Sequence, residues 1–159
     1  MADLHPSITA LTPLLGTWSG RGSGDYPTIT PFDYLEEITF AHVGKPFLSY
    51  TQRTRSPDGQ PMHAEAGYLR VPKPGVIELV LAQPSGVTEV DEGTVAADGT
   101  AVVIELASVS VGLTGTAKDV GAVHRSIRVD DDELTYSVSM AAMGRPLQQH
   151  LTATLYRMP

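Results

Sequence analysis

A glycine-rich segment near the start of the chain restricts the folds that this sequence can adopt. Residues 16–29 read GTWSGRGSGDYPTI, with glycine at positions 16, 20, 22 and 24 and the only tryptophan, Trp18, among them. Glycine weakens helix interiors, so the segment is predicted to be a strand. Since side chains alternate along a strand, the glycines and Trp18 share one face. Another backbone, a ring or a ligand can approach that face closely, and the segment alone does not decide between a barrel-closing strand and a ligand contact.

The rest of the chain predicts further strands joined by short turns. Phe32–Val43 alternates in polarity, and Ser56-Pro57-Asp58-Gly59 is a strong hairpin signal. Strands of roughly 8–11 residues with such turns leave no room for crossover helices, so the sheet is predicted to be antiparallel. A meander of about ten strands tends to close into a barrel. We therefore predict an all-β, up-and-down barrel of the lipocalin or fatty-acid-binding type, formed by residues 1–159 as a single domain.

Two segments are predicted to lie outside the strands. Residues 1–15 carry apolar residues at near-helical spacing, but Pro13 limits a helix there to a turn or two, which predicts a short helical cap over one barrel end. Val111–Ala117 contains two glycines and two threonines and predicts a loop.

Small or polar residues on both faces of several strands predict a cavity. Ser49 and Thr51 on one strand and Ala64 and Ala66 on another are too small to fill a barrel interior. A barrel of this strand count with small inward residues leaves space for a ligand.

Composition excludes several classes of protein and of site. The net charge of −7 makes a nucleic-acid partner unexpected, and no apolar run approaches the ~20 residues of a membrane helix. The absence of cysteine excludes disulfides and thiolate metal ligands. The five histidines show no spacing typical of a zinc site. We expect a cytoplasmic protein without a membrane or nucleic-acid partner.

Several motifs together resemble the nitrobindins, which are small haem-binding β-barrels. The first is GxWxGxG at residues 16–22, and the resemblance covers nearly the whole chain. The further matching segments are Gly24–Thr28, Pro31–Glu37, His42–Pro46 and Pro146–Leu151. The resemblance implies one haem b per chain, binding of nitric oxide, isomerisation of peroxynitrite to nitrate, and a homodimer.

The resemblance also implies the roles of individual residues. It identifies His150, in Gln149-His150-Leu151, as the proximal ligand of the haem iron and as the catalytic residue. Thr28 corresponds to a residue at the rim that contacts haem, and Lys118 has the charge to pair with a propionate. The glycine-rich strand supplies further expected haem contacts. These are Gly16, Trp18, Gly20 and Gly22.

The alternation of the last strand conflicts with a haem ligand at His150. Leu147, Leu151 and Leu155 alternate with the polar residues, so simple burial predicts that the leucines point inward and His150 outward. Either the barrel interior is polar here and the leucines pack outside, against a cap or a second subunit, or a β-bulge turns the histidine inward. The sequence leaves both alternatives open.

A second functional class fits the same fold. A carrier of fatty acids would use the barrel with a cationic residue for the carboxylate, such as Arg53 or Arg125. An interaction module with a packed barrel is a third alternative. No pair of histidine and arginine typical of a peroxidase distal site is visible, although the fold could bring one together.

Overall fold

Hydrogen bonding between neighbouring strands closes the sheet into a barrel. In the computed structural model, which describes residues 2–159, ten antiparallel strands follow one another around the barrel in chain order, and the last pairs with the first. The predicted up-and-down barrel is confirmed, and its closure leaves no unpaired sheet edge among these strands. The strands are β1 (Gly16–Tyr26), β2 (Ile29–Ala41), β3 (Leu48–Arg55), β4 (Pro61–Lys73), β5 (Val76–Ala82), β6 (Val87–Asp98), β7 (Ala101–Leu113), β8 (Val120–Asp130), β9 (Glu133–Ala142) and β10 (Gln148–Arg157).

Strand β2 shows how the wall separates the inside from the outside. Tyr34, Glu36, Ile38 and Phe40 are all buried, whereas the residues between them are at least partly exposed. The predicted alternation of Phe32–Val43 is therefore confirmed for this strand, and these four residues form its inward face. One of its four members is a carboxylic acid, which is unusual for a core position.

The predicted helical cap is a 3-10 helix, Pro6–Leu14, that closes one end of the barrel. The indole Nε1 of Trp18 donates a hydrogen bond of 2.8 Å to the Leu14 carbonyl, and the Arg157 guanidinium lies 4.2 Å from the indole ring centroid. This end is therefore packed shut. The helix residues buried against it are Ile8, Leu11 and Leu14. No helix within residues 2–159 has the length and apolar character to cross a membrane.

The other end of the barrel, which we call the mouth, carries the turns after β1, β3, β5, β7 and β9. The loop predicted at Val111–Ala117 is shorter than expected, because β7 continues to Leu113. Val111 pairs with Glu89 and Leu113 with Val87, so the ladder with β6 holds this segment as a strand despite its glycine. The mouth loop between β7 and β8 comprises residues 114–119 and includes Lys118.

Candidate functional site

The barrel contains a cavity of about 560 Å³ that extends from the mouth towards the capped end. This volume lies within the range of small-molecule sites, and the predicted cavity is confirmed. Thr28, Lys118 and His150 lie at its mouth. The residues that line it near the mouth are otherwise largely apolar. They include Ile29, Phe32, Met62, Val87, Val120, Met140, Met143 and Leu151.

A β-bulge brings His150 to the cavity. The ladder between β9 and β10 shifts register between Gln149 and Leu151, so His150 is the extra residue on β10. Both His150 and Leu151 line the cavity as a result. The sequence left open whether the barrel interior is polar at β10 or a β-bulge turns His150 inward, and the structure shows the β-bulge. The leucines of β10 do not pack outside, since Leu155 is fully buried and Leu151 lines the cavity, whereas Leu147, just before the strand, is half exposed.

One nitrogen of the His150 ring is held by the backbone of β1. Nδ1 lies 3.0 Å from the carbonyl oxygen of Asp25, at a place where the β1–β2 ladder also shifts register. When Nδ1–H donates to this carbonyl, Nε2 carries the lone pair and can bind a metal. The ring centroids of Tyr26 and Phe32 lie 5.4 and 6.5 Å from that of the imidazole, and the two rings restrict its orientation.

The structure does not bring the glycine-rich face of β1 to the cavity. None of the expected haem contacts Gly16, Trp18, Gly20 and Gly22 lines it. Trp18 is fully buried under the N-terminal helix. A Cβ on Gly20 would collide with the backbone of β10, and one on Gly22 would collide with the Tyr34 ring. Backbone and ring, rather than a ligand, fill the space that the absent side chains leave. Contact of these four residues with haem stays a prediction from the family resemblance.

Deeper in the barrel, a buried arginine holds two carboxylates. Arg125 donates two hydrogen bonds of 3.0 Å to the oxygens of Glu65, and further bonds of 3.1 and 2.7 Å to Glu89. Asp91 lies 3.6 Å from Nε of the same guanidinium. All four residues are at most 8% exposed. Three carboxyl groups around one cation give this region an excess of acidic groups.

Burial and the arginine shift the pKa values of these acids in opposite directions. Burial tends to raise the pKa of Glu65, but the Arg125 charge and the hydrogen bonds from His63 and Arg125 outweigh it and lower the pKa to about 2. Burial, together with the neighbouring Glu89 charge, raises the pKa of Asp91 well above its ordinary value. Glu65 is therefore ionised at neutral pH, whereas Asp91 tends to keep its proton.

A second acid, Glu36, lies in the cavity wall without a full set of partners. Its Oε2 accepts a hydrogen bond of 2.6 Å from Nε2 of Gln52, while its Oε1 and the Oε1 of Gln52 have no partner. Burial raises the pKa of Glu36 to about 7. The hydroxyls of Tyr34 and Tyr136 lie 2.6 Å apart in the same wall. We call Glu36, Gln52 and this tyrosine pair the inner wall.

The fold brings His63 and Arg125 into the same cavity. The sequence alone does not show this pairing of a histidine with an arginine. His63 Nε2 lies 3.4 Å from Glu65 Oε2, and Glu65 in turn binds Arg125. The signal for the inward arginine was present in β8, where Val123 and Ile127 flank Arg125 at alternate positions. A charged residue between two apolar ones on one strand face indicates a buried charge.

Comparison with known proteins agrees with this architecture. The sequence model of the family described as THAP4-like, heme-binding beta-barrel domain matches residues 7–157. Peroxynitrite isomerase 2 of Mycobacterium avium (strain 104) is 62% identical over 156 residues, which cover 98% of this chain and 97% of that protein. Peroxynitrite isomerase 2 of Mycobacterium marinum is 60% identical over 157 residues, with 98% of both chains covered. The crystal structure of Rv2717c from M. tuberculosis superposes with a TM-score of 0.96 at 57% identity, covering 99% of this chain and all of that one.

Proposed function

The chain belongs to the family of THAP4-like haem-binding β-barrel domains, the nitrobindin family, and we propose that it isomerises peroxynitrite to nitrate at a ferric haem bound by His150. The observation that carries this proposal is the His150 ring, whose Nδ1 lies 3.0 Å from the Asp25 carbonyl. Because a carbonyl oxygen only accepts hydrogen bonds, this contact favours the tautomer with Nδ1–H, in which Nε2 carries the lone pair. Relatives about 60% identical over nearly their whole length carry the name of this activity.

The residues at the mouth suit a haem in both shape and chemistry. A haem needs one nitrogen ligand and an apolar slot, and the mouth supplies His150 beside largely apolar side chains such as Phe32, Met140 and Leu151. We propose that Lys118, exposed at the rim, pairs with a propionate and that Thr28 contacts the edge of the ring.

When bound, haem supplies an iron at which peroxynitrite can rearrange to nitrate without gain or loss of atoms. The chain contributes in three ways. The Asp25 carbonyl holds the tautomer of His150 that leaves Nε2 able to bind iron. The apolar lining excludes water from one side of the site. Arg125 is already neutralised by Glu65 and Glu89, and so it offers no free positive charge for a second anion.

We propose further that the ferrous haem protein binds nitric oxide, that each chain holds one haem, and that the chain acts as one domain in the cytoplasm. A homodimer is also proposed from the family resemblance. Sedimentation of the hemin-loaded protein, with a haem assay per chain, tests the stoichiometry and the homodimer together.

The positions of Arg53 and Arg125 disfavour a fatty-acid carrier, because neither arginine is available to bind a carboxylate inside the barrel. Arg53 lies outside the barrel, where its guanidinium donates a hydrogen bond of 2.6 Å to Glu37. Arg125 lies inside but is surrounded by three carboxyl groups. A fatty-acid carboxylate would add another negative charge to a region that already has an excess of acids.

Rapid mixing of the hemin-loaded protein with peroxynitrite tests the proposed activity. We expect faster loss of peroxynitrite and a higher ratio of nitrate to nitrite than with the hemin-free chain. An unchanged rate and an unchanged nitrate yield at full haem loading contradict the proposal. A fluorescent fatty acid that binds the chain without hemin, and that hemin does not displace, favours the carrier.

A further inference from the structure

From the unpartnered oxygens of the inner wall, we propose that the deep part of the cavity is a separate binding site for a small organic cation, of the ammonium or amidinium type. Glu36 is 1% exposed and Gln52 7% exposed, and both line the cavity. Each keeps one oxygen, Oε1, with no donor within hydrogen-bond distance, and the Tyr136 hydroxyl beside Glu36 pairs with the Tyr34 hydroxyl instead. A buried acceptor without a donor is costly, so the fitting occupant is a molecule that donates hydrogen bonds.

The charges around this position favour a cation over a neutral donor. Glu36, Glu65, Glu89 and Asp91 are buried in the same part of the barrel, and Arg125 is the one buried cation that faces them within residues 2–159. Even with Asp91 protonated, three carboxyl groups remain, those of Glu36, Glu65 and Glu89. They face one guanidinium and the partly exposed His63 ring, so this region can accept a further positive charge. That charge would face the carboxylate of Glu36, which Arg125 does not contact.

The aromatic lining favours an organic cation over a metal ion. Tyr34 and Tyr136 border Glu36, and the rings of Phe40 and Tyr50 stack with centroids 5.5 Å apart in the same wall. Aromatic faces attract ammonium and guanidinium groups. Among the described residues, no group of three or more histidine, aspartate and glutamate side chains is placed to hold a metal.

The deep site lies apart from the proposed haem position. Glu36 follows Phe32 by four residues on β2, which sets it about 13 Å further along the strand from the ring beside His150. The proposal therefore does not depend on haem chemistry, and it is tested on the full chain before hemin is added.

Three probes of the same shape but different charge provide the test by calorimetry: benzamidinium, benzamide and benzoate. We expect benzamidinium to bind about tenfold or more tightly than benzamide, and benzoate to give no binding heat. Glu36→Gln should bring benzamidinium down to the affinity of benzamide. Its matched control is Glu37→Gln, because Glu37 is the neighbouring acid on the outer face and pairs with Arg53. This control should bind like the wild type.

Equal affinity for benzamidinium and benzamide overturns the proposal, as does unchanged benzamidinium binding by Glu36→Gln. If that variant unfolds, Glu36→Asp replaces it, since the side chain one methylene shorter withdraws the carboxyl group from the bound cation while Gln52 remains. Loss of at least about fivefold in benzamidinium affinity then supports the site, and wild-type affinity overturns it.

Discussion

The mouth and the deep part of the barrel differ in how many protein partners their charged and polar side chains have. At the mouth, His150 and Lys118 have few protein partners, and one ring nitrogen of His150 is left to bind another group. In the deep part, Arg125 is saturated by Glu65 and Glu89. The mouth is thus arranged to receive a ligand. The deep network, by which we mean Arg125 with Glu65, Glu89 and Asp91 and not the neighbouring inner wall, instead holds strands β4, β6 and β8 together.

This difference predicts which substitutions should change the free energy of unfolding and which should change haem binding. Buried ion pairs are strongly destabilising when one partner is lost, because a charge is left without compensation. Exposed groups at a rim contribute little to folding. Substitutions in the deep network should therefore lower the free energy of unfolding, and those at the mouth should change haem affinity.

Removal of the buried cation should have the largest effect on stability. Arg125→Met leaves Glu65 and Glu89 without their partner, and we expect the free energy of unfolding to fall by about 3–5 kcal/mol. Urea unfolding monitored by circular dichroism measures the change. The control is Arg53→Met, whose ion pair with Glu37 is exposed and whose loss should cost less than about 1 kcal/mol. Equal losses of unfolding free energy in the two variants would mean that the buried network stabilises the fold no more than an exposed ion pair does.

Glu36 should make stability fall as pH rises towards neutrality. Its pKa is raised from 4.5 to about 7 by burial, so the folded protein keeps a proton that the unfolded chain loses. Its stabilising contribution is therefore present at low pH and is lost as pH rises through about 7. Glu36→Gln should be more stable than wild type by about 2–3 kcal/mol at pH 8, and the gain should shrink towards pH 5.

Urea unfolding at both pH values measures this effect, with Glu37→Gln as the control that shows no such pH trend. A Glu36→Gln variant with the same small advantage at pH 5 and pH 8 would mean that Glu36 is ionised in the folded protein throughout this range.

Glycines at the wall and at the mouth should differ in their tolerance of a methyl group. Gly20→Ala places a Cβ against the backbone of β10 and should cost about 1–3 kcal/mol of unfolding free energy. Gly115→Ala, in the β7–β8 loop, meets nothing within 4 Å and should cost less than about 0.5 kcal/mol. Thermal unfolding of both variants measures the difference, and tolerance at position 20 would show that β1 and β10 can move apart.

Lys118 should give the smallest effect. We expect Lys118→Met to weaken hemin binding by about two- to fivefold at low salt, with the difference shrinking as salt rises, and to leave unfolding unchanged. Hemin titrations at two salt concentrations measure it. Lys73→Met, on a strand end remote from the mouth, is the matched control. A loss that salt does not reduce would mean that Lys118 acts by packing rather than by charge.

The two regions also differ in how far the sequence predicts them. The barrel, the cap and the alternation along β2 follow from polarity patterns and turn residues, because these patterns are local. The position of His150 came from a family resemblance, and alternation pointed it outward. The bulge that turns it inward depends on pairing between β9 and β10, which no local pattern in β10 indicates.

The deep network depends on contacts between residues that are remote in the sequence. Glu65 and Arg125 are 60 residues apart, so their pairing follows only from the arrangement of strands around the barrel. Arg125 could be recognised as an inward charge from Val123 and Ile127 on the same strand face, but its partner could not. Glu65 carries no such signal, because its same-face neighbours are His63 and Gly67. The glycine-rich face shows the same limit, since the Tyr34 ring and the β10 backbone that fill it lie on other strands.

The central claim is that Nε2 of His150 is the protein ligand of the haem iron, and titration of hemin into His150→Ala tests it most directly. The controls are His63→Ala, inside the cavity, and His124→Ala, exposed on β8. We predict that His150→Ala loses the Soret band of the wild-type complex and regains it when free imidazole is added, while both controls keep it. A wild-type Soret band in His150→Ala, or its loss in His63→Ala alone, would contradict the claim.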